Sequence, residues 1–561
     1  MIKSIKTLSS FFCILIFTSS YVFAEPKQVA IASAHPLATQ AGIDILRQGG
    51  NAFDAAAAIT ASLAVVEPYS SGIGGGAFWL VHRVSDNKQT MIDGREKAPM
   101  RSTHNMYLDK AGNVVKGLSL NGPMAAGIPG VPAGIEHLVK NYGRLSLKQV
   151  LAPAIKQAQE GFAVTERYQK LMGYRKDVVK QYPDAAQIFL IKYKVPAIGE
   201  LIVQKDLART LTAIANHGSK GFYQGPVAKQ MVTSVKNNGG IWELDDLKKY
   251  QVVEREPIVI NYNGIKVTSA APPSSGGIVM GQALNILEQF NLDKLDPITR
   301  KHVVIEAMRR AYRDRAAYLG DPDFIDIPVE RLLDKNYAEG LALTINLERA
   351  TPSSELSNVA TVEKTGTDTT HFSVVDAVGN RVSATLSINL PFGSGFVAKG
   401  TGVLLNNEMD DFSVKPLTAN AYGLVGDYAN AIAPGKRPLS SMSPTFLETD
   451  DRVAVLGTPG GSRIISMVLL GVLDFAEGNA PKSWVSLPRY HHQYLPDQVQ
   501  YELGGLTSSE QAVLKGKGHM LKEKNRRYGN MQAIMIWKKK DLIFAASDPR
   551  GEGRAEVFYI P

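Results

Sequence analysis

The sequence predicts an α+β protein in which one sheet system draws on both ends of the chain. Three observations predict it. Strand-like stretches open and close the sequence, amphipathic helices fill its middle third, and a polar, aperiodic segment at 350–368 separates the two halves without ending the pattern.

In order, "KQVAIASAH" reads as a strand, and "PLATQAGIDILRQGGN" has helical spacing with a Gly-Gly stop. "AFDAAAAITASLAVVEP" is apolar nearly all round, which predicts a buried helix. The glycine-rich "SSGIGGGAF" feeds the strand "FWLVH", and "QTMIDGREKAP" is its expected hairpin partner. "SLKQVLAPAIKQAQEGF", "KDLARTLTAIANHG" and "ITRKHVVIEAMRRAYRDRAAYLGDP" carry apolar residues at three- and four-residue spacing and predict helices. "PIVINYNGIKVTSA" interrupts them as a hairpin turning at Asn263-Gly264. After the polar segment, "HFSVVD" reads as a half-buried strand, followed by a Gly379-Asn380 turn and a second strand. "RVAVLGTPGGSRIISMVLLGVLDF" predicts strand, turn and helix, and "QAIMIWKKKDLIFAASD" a hairpin.

Composition narrows the function classes. The 561 residues are 44% hydrophobic, and the net charge of +9 is interleaved rather than gathered in a basic arm, so nucleic-acid binding is not favoured. Lys3 and Lys6, the apolar "FFCILIF" and the small Ala24 predict a secretory signal over 1–24 with cleavage after Ala24. The expected location is periplasmic or secreted. Cys13, the only cysteine, lies inside that signal, so the processed chain is expected to lack thiol chemistry and disulfides. No later apolar run is long enough to span a bilayer.

Common catalytic signatures are missing. There is no G-x-S-x-G elbow, phosphate loop or H-E-x-x-H pair, and "GIGGGA" precedes a strand where a dinucleotide loop would open a helix. His491-His492 reads as a pair of surface or packing residues. What remains are hydroxyl, glycine and acid clusters in the last 200 or so residues. A threonine hydroxyl is a poor nucleophile without a base, but an N-terminal threonine carries one, because its own α-amine titrates near about pH 8. The polar segment ends at "TGTD", and Thr369 then stands at the first residue of a strand, where a cut would create such an end. In "LGTPGGSRII", adjacent glycines before a helix offer unpaired N–H groups suited to an oxyanion. The acidic "NNEMDDF" suits an ammonium group, "RPLSSMSPT" offers two hydroxyls, and Arg95 in "DGREKAP" can grip a carboxylate.

Together, "TTHFSVVD", "LLNNEMDDF", "GKRPLSSMSPT" and "TPGGSRII", with "GGNAFDAAAA", "SGIGGGAF" and "DGREKAP" before them, resemble the γ-glutamyltranspeptidases, glutathione-cleaving N-terminal-nucleophile hydrolases. The resemblance implies a four-layer αββα sandwich built jointly by a large chain (25–368) and a small chain (369–561) after autocleavage between Asp368 and Thr369. Thr369 is the implied nucleophile, with Gly460 and Gly461 as the oxyanion hole. Arg95, Ser440 and Ser441 would hold the glutamyl carboxylate, Asn389, Glu408 and Asp411 would surround its amine, and Tyr422 matches a lid tyrosine. Ser387 stands where the family usually has a threonine that hydrogen-bonds the nucleophile, and Glu408 replaces the glutamine common in bacterial members. Both bear on the balance of hydrolysis and transfer. The implied substrates are glutathione and other γ-glutamyl compounds, with water, amino acids or dipeptides as acceptors. The implied partnership is the heterodimer of the two chains, and no cofactor or metal is expected. A cephalosporin or glutaryl acylase on the same scaffold is the alternative enzyme, and a non-catalytic secreted homologue the alternative outside catalysis.

Overall fold

The structure is a computed structural model and describes residues 27–356, 369–415, 418, 420–424 and 426–560. The expected signal at 1–24 and the cleavage-site residue Asp368 lie outside the described residues.

Strands in chain order are β1 (Lys27–Ser33), β2 (Gly76–Arg83), β3 (Lys88–Gly94), β4 (Val253–Arg255), β5 (Ile258–Tyr262), β6 (Ile265–Ser269) and β7 (Thr370–Val375). They continue as β8 (Arg381–Ser387), β9 (Thr445–Glu448), β10 (Arg452–Gly457), β11 (Gln532–Trp537), β12 (Leu542–Ser547) and β13 (Arg554–Ile560). One sheet has the order β13-β1-β7-β8-β2-β3-β4 and the other β12-β11-β10-β9-β6-β5. Every pairing within both is antiparallel. β7 and β8 sit between β1 and β2, so residues on both sides of the polar segment share the centre of one sheet.

The two-residue period explains how that sheet is held. Phe372 and Val374 of β7 join a core with the helices α1 (Pro36–Arg47) and α2 (Ala52–Val66), while Val375 joins the other core. On the same side as Val375, Ser373 donates to the carbonyls of Val455 in β10 and Gln532 in β11, and Ser383 of β8 donates to Leu456. The two sheets are thus tied by side chain-to-backbone hydrogen bonds. β7 is therefore buried on both faces rather than half-buried: its polar alternate residues meet a second sheet, not water. His371 is fully enclosed there, bonded through Nδ1 to Thr385 Oγ1 at 2.8 Å, and burial lowers its pKa to about 3. A Cβ on Gly457 would come within 2.3 Å of that ring, so only glycine fits opposite it.

α2 is buried along its whole length, as its composition requires. A capping box starts it: Asn51 accepts from the N–H groups of Phe53 and Asp54, and Asp54 accepts from that of Asn51. On the second sheet, helix α3 (Gly276–Leu287) packs on β5 and β6, with α4 (Pro297–Tyr318) against α3. Helix α5 (Ile464–Ala476) follows β10 after a single 3-10 turn. His491 and His492 correct the surface option for that pair: both are buried, with His491 on Ser466 and Gln493 and His492 on Asp497. Among the described residues no helix is long and apolar enough to cross a membrane.

Candidate active site

Thr369 stands immediately before β7, nearly buried, and lines a cavity of about 20 Å³. The same cavity is lined by Arg95, Ser387, Asn389, Asp411, Tyr422, Ser440, Ser441 and Gly461, all singled out from sequence, and by Arg315, which was not. Glu408 reaches it through Arg95. Gly460 faces a neighbouring cavity instead, with Arg167, Lys170 and the 526–529 turn.

Arg95 follows β3 and is buried by contacts that fix its direction. Its Nε donates to the Pro438 carbonyl at 3.1 Å, and Nη2 donates to Asp411 Oδ2 at 2.6 Å. Nη1 lies 3.1 Å from Glu408 Oε2 and 3.5 Å from Glu96 Oε2. Three carboxylates thus surround one guanidinium. Burial works against the Arg95 charge, but Glu408, Glu96 and Asp411 outweigh it and hold the group above its ordinary value. Burial also pushes the Glu96 and Glu408 carboxyls up, against the pull of Arg95. Glu408 Oε1 and both Glu96 oxygens have no hydrogen-bond partner.

Ser387 ends β8, and its hydroxyl accepts the Asn389 N–H at 2.8 Å. Asn389 adopts a left-handed φ of 72°, which turns its side chain back so that Nδ2 donates to the Asn407 carbonyl at 2.8 Å. Its Oδ1 is buried without a partner. The Tyr422 hydroxyl donates to the Asn389 carbonyl at 2.7 Å. The same cavity is also lined by hydroxyls. Ser440 Oγ accepts from the Met442 N–H at 3.1 Å, and Ser441 Oγ accepts from Arg315 Nη2 at 3.2 Å. A hydroxyl whose lone pairs are engaged from behind still has its own proton to give.

Gly460 and Gly461 turn the chain from β10 into α5 with φ of 150° and 58°, a region that disfavours other residues. A Cβ on Gly461 would fall 2.3 Å from the Tyr422 ring, and one on Gly460 2.5 Å from Met467 Cε. Thr370 faces away from the cavity and donates to Glu67 Oε2 at 2.6 Å.

Sequence reasoning missed Arg315, Glu96 and Ser275. Glu96 stood beside Arg95 in the same string, and two adjacent opposite charges ending a buried hairpin were the available signal. Arg315 had none, because it is one of five arginines in α4. A separate cluster brings together His302, Glu306 and His519. Glu306 is held there by Arg309 and Arg310, and His302 Nδ1 lies 2.7 Å from His519 Nε2, so these groups satisfy one another.

The model of the γ-glutamyltranspeptidase family matches residues 38–558. The chain belongs to the γ-glutamyltranspeptidase family. A glutathione hydrolase proenzyme of Pseudomonas sp. (strain A14) is 42% identical over 533 residues, covering 93% of this chain and 92% of that protein. A glutathione hydrolase proenzyme of Escherichia coli (strain K12) is also 42% identical, covering 93% and 90%. Among solved structures, a cephalosporin acylase from Bacillus halodurans matches with a TM-score of 0.83 at 30% identity, covering 97% of this chain and 99% of that one. The Helicobacter pylori γ-glutamyltranspeptidase matches with a TM-score of 0.56 at 44% identity, covering 58% of this chain and 93% of that chain. The fold is accordingly that of the N-terminal-nucleophile hydrolases, mixed α and β with antiparallel sheets.

Proposed function

We propose that this member of the γ-glutamyltranspeptidase family is a γ-glutamyltransferase and glutathione hydrolase that cuts itself before Thr369. The observation that carries the reading is the polarity of the cavity beside Thr369. Its wall carries acceptors, Asp411 and the unpartnered Asn389 Oδ1, together with the hydroxyls of Ser440 and Ser441. An ammonium and a carboxylate on one carbon fit that arrangement, and a γ-glutamyl group carries both.

In the cut molecule the Thr369 α-amine takes the proton of its own hydroxyl as Oγ attacks the γ-carbonyl carbon. The oxyanion forms toward the turn at Gly460-Gly461, where backbone N–H groups precede a helix. The C–N bond breaks, the amine leaves with the proton, and an ester to Thr369 remains. Water or the amine of an amino acid or dipeptide then attacks the ester, transferring a proton back through the α-amine. Ser387, next to this end, would steady the threonine hydroxyl. The Tyr422 ring and its bond to Asn389 leave room for about one water, so a glutamyl group enters once Tyr422 swings aside. The reading includes a signal at 1–24, a large chain 25–368, a small chain 369–561, a joint αββα four-layer sandwich and export to the periplasm or medium.

A second reading, acylase activity on β-lactam side chains, is favoured by the whole-chain likeness to a cephalosporin acylase. The acids around Arg95 argue against it, because a glutaryl group has no ammonium for them to hold. The test is purified protein on a denaturing gel and with two p-nitroanilides. Two fragments, replaced by one in Thr369→Ala, and release of p-nitroaniline from the γ-glutamyl rather than the glutaryl compound are expected. A processed protein inert toward the γ-glutamyl compound would overturn the reading.

A further inference from the structure

We propose that the cavity on the far side of the Gly460-Gly461 turn seats a carboxylate carried by the leaving amine, so that γ-glutamyl peptides with an acidic end are preferred to neutral γ-glutamyl amides. This rests on the γ-glutamyl reading of the cavity beside Thr369.

The two cavities meet at one turn. Gly461 lines the cavity of Thr369, and Gly460, the residue before it, lines a second one of about 120 Å³. On the reading above the oxyanion forms toward this turn, so whatever leaves the γ-carbonyl carbon starts beside it. A peptide chain advances at most about 3.6 Å per residue, which puts a carboxylate two residues beyond the cut amide within about 7 Å of it. That is the scale of the turn itself.

The wall of the second cavity is cationic. Arg167 and Lys170 come from the helix Glu166–Val179, Arg526 and Arg527 from the turn before β11, and Arg550 completes the set. No acid lines the cavity among the described residues. Part of this charge is already used. Arg550 is paired with Glu502 and Asp548, and Arg167 offsets some of the burial cost of Glu67. Lys170 and Arg527 differ: both are exposed, and neither makes a salt bridge among the described residues.

Tyr528 adds a donor. It is 6% exposed, its ring lies under the Arg463 guanidinium at 5.1 Å, and its hydroxyl has no hydrogen-bond partner. A buried hydroxyl left without a partner is costly, and a ligand that accepts from it recovers the cost. The turn that presents these groups is held in place. The Tyr528 N–H donates to Glu502 Oε2 at 3.4 Å, and the Asn530 N–H donates to Thr458 Oγ1 at 3.2 Å. Two cations without counter-ions and an idle phenol, around a cavity with no acid, suit a carboxylate. An acceptor amine attacks the ester by the reverse of the step in which the leaving amine departed. The same seat therefore takes the carboxylate of an acceptor amino acid or dipeptide.

The experiment changes one charge on the substrate and two on the protein. Glutathione and its C-terminal amide, γ-glutamylcysteinylglycinamide, differ only at the acidic end. Glutamate release gives kcat/KM for each, and the readout is the ratio of acid to amide. Two exposed cations are expected to favour the acid by about 3- to 10-fold, and about 0.5 M salt should bring the ratio toward unity. Lys170→Gln combined with Arg527→Gln should abolish the preference, and Lys170→Glu combined with Arg527→Glu should reverse it. Both positions are exposed, so the variants should fold. A wild-type protein without the preference, a ratio that the variants leave unchanged, or cleavage of γ-glutamyl-p-nitroanilide without cleavage of glutathione would overturn the proposal. A wild-type protein inert toward γ-glutamyl-p-nitroanilide would instead overturn the functional reading beneath it.

Discussion

Gly461→Ala puts a methyl group where the Tyr422 ring lies. Two costs can be worked out separately. The backbone φ of 58° is left-handed, and alanine there costs about 1 kcal/mol. The new Cβ would stand 2.3 Å from the ring, far inside contact distance, so the ring must retreat. Retreat breaks the 2.7 Å bond from its hydroxyl to the Asn389 carbonyl, worth about another 1 kcal/mol. Both costs fall on the folded molecule with Tyr422 in place, so the sum of about 2 kcal/mol is expected as lost stability in urea denaturation. Tyr422→Ala separates the terms. In that background Gly461→Ala meets no ring and should cost only the backbone part, about 1 kcal/mol. An equal loss in both backgrounds would refute the steric coupling between the turn and Tyr422.

Acid should unfold the protein by a route set by its histidines. Burial lowers the pKa of His35 and His492 to about 4 and of His371 and His519 to about 3. Each folded value lies below the unfolded one, so their contribution is complete above about pH 6.5 and lost as pH falls through that window toward 4. Each proton taken up on unfolding is worth about 1.4 kcal/mol per pH unit. Urea titrations between pH 6.5 and 4.5 should therefore give an uptake of at least about two protons, and less than one would contradict the burial of these rings. Thr370→Val keeps shape but removes the donor to Glu67, a buried acid whose pKa burial already raises. It should cost about 1 to 3 kcal/mol in urea denaturation, whereas a change below about 0.5 kcal/mol would mean that water replaces the bond.

The elements were legible where pattern and turn chemistry agree. The nearly all-apolar "AFDAAAAITASLAVV" reads as a buried helix, and Asn263-Gly264 takes the positive φ values that close the β5–β6 hairpin. The candidate site was legible because its residues sit in short strings at the ends of strands. What escaped depends on distant partners. β13 has a mixed, half-exposed pattern and is a strand because β1 pairs with it along its length. The polar residues of β7 looked solvent-facing, since nothing local announces a second sheet. Arg309, Arg310, Arg313 and Arg315 share one helix, and only the fold pairs the first two with Glu306 and the third with Asp314 while leaving the fourth beside two serines.

The position of β7 and β8 between β1 and β2 has a consequence for the history of each molecule. Before any cut before Thr369, folding is a unimolecular search by one tethered chain. Afterwards the same sheet would have to be rebuilt by two separate chains, each lacking its neighbours, so recovery would become slow and concentration-dependent. On the proposed cut, folding would have to come first and cutting second. A cut molecule that once lost its sheet would not readily retrace its path, and its working lifetime would be set by how slowly it opens rather than by an equilibrium.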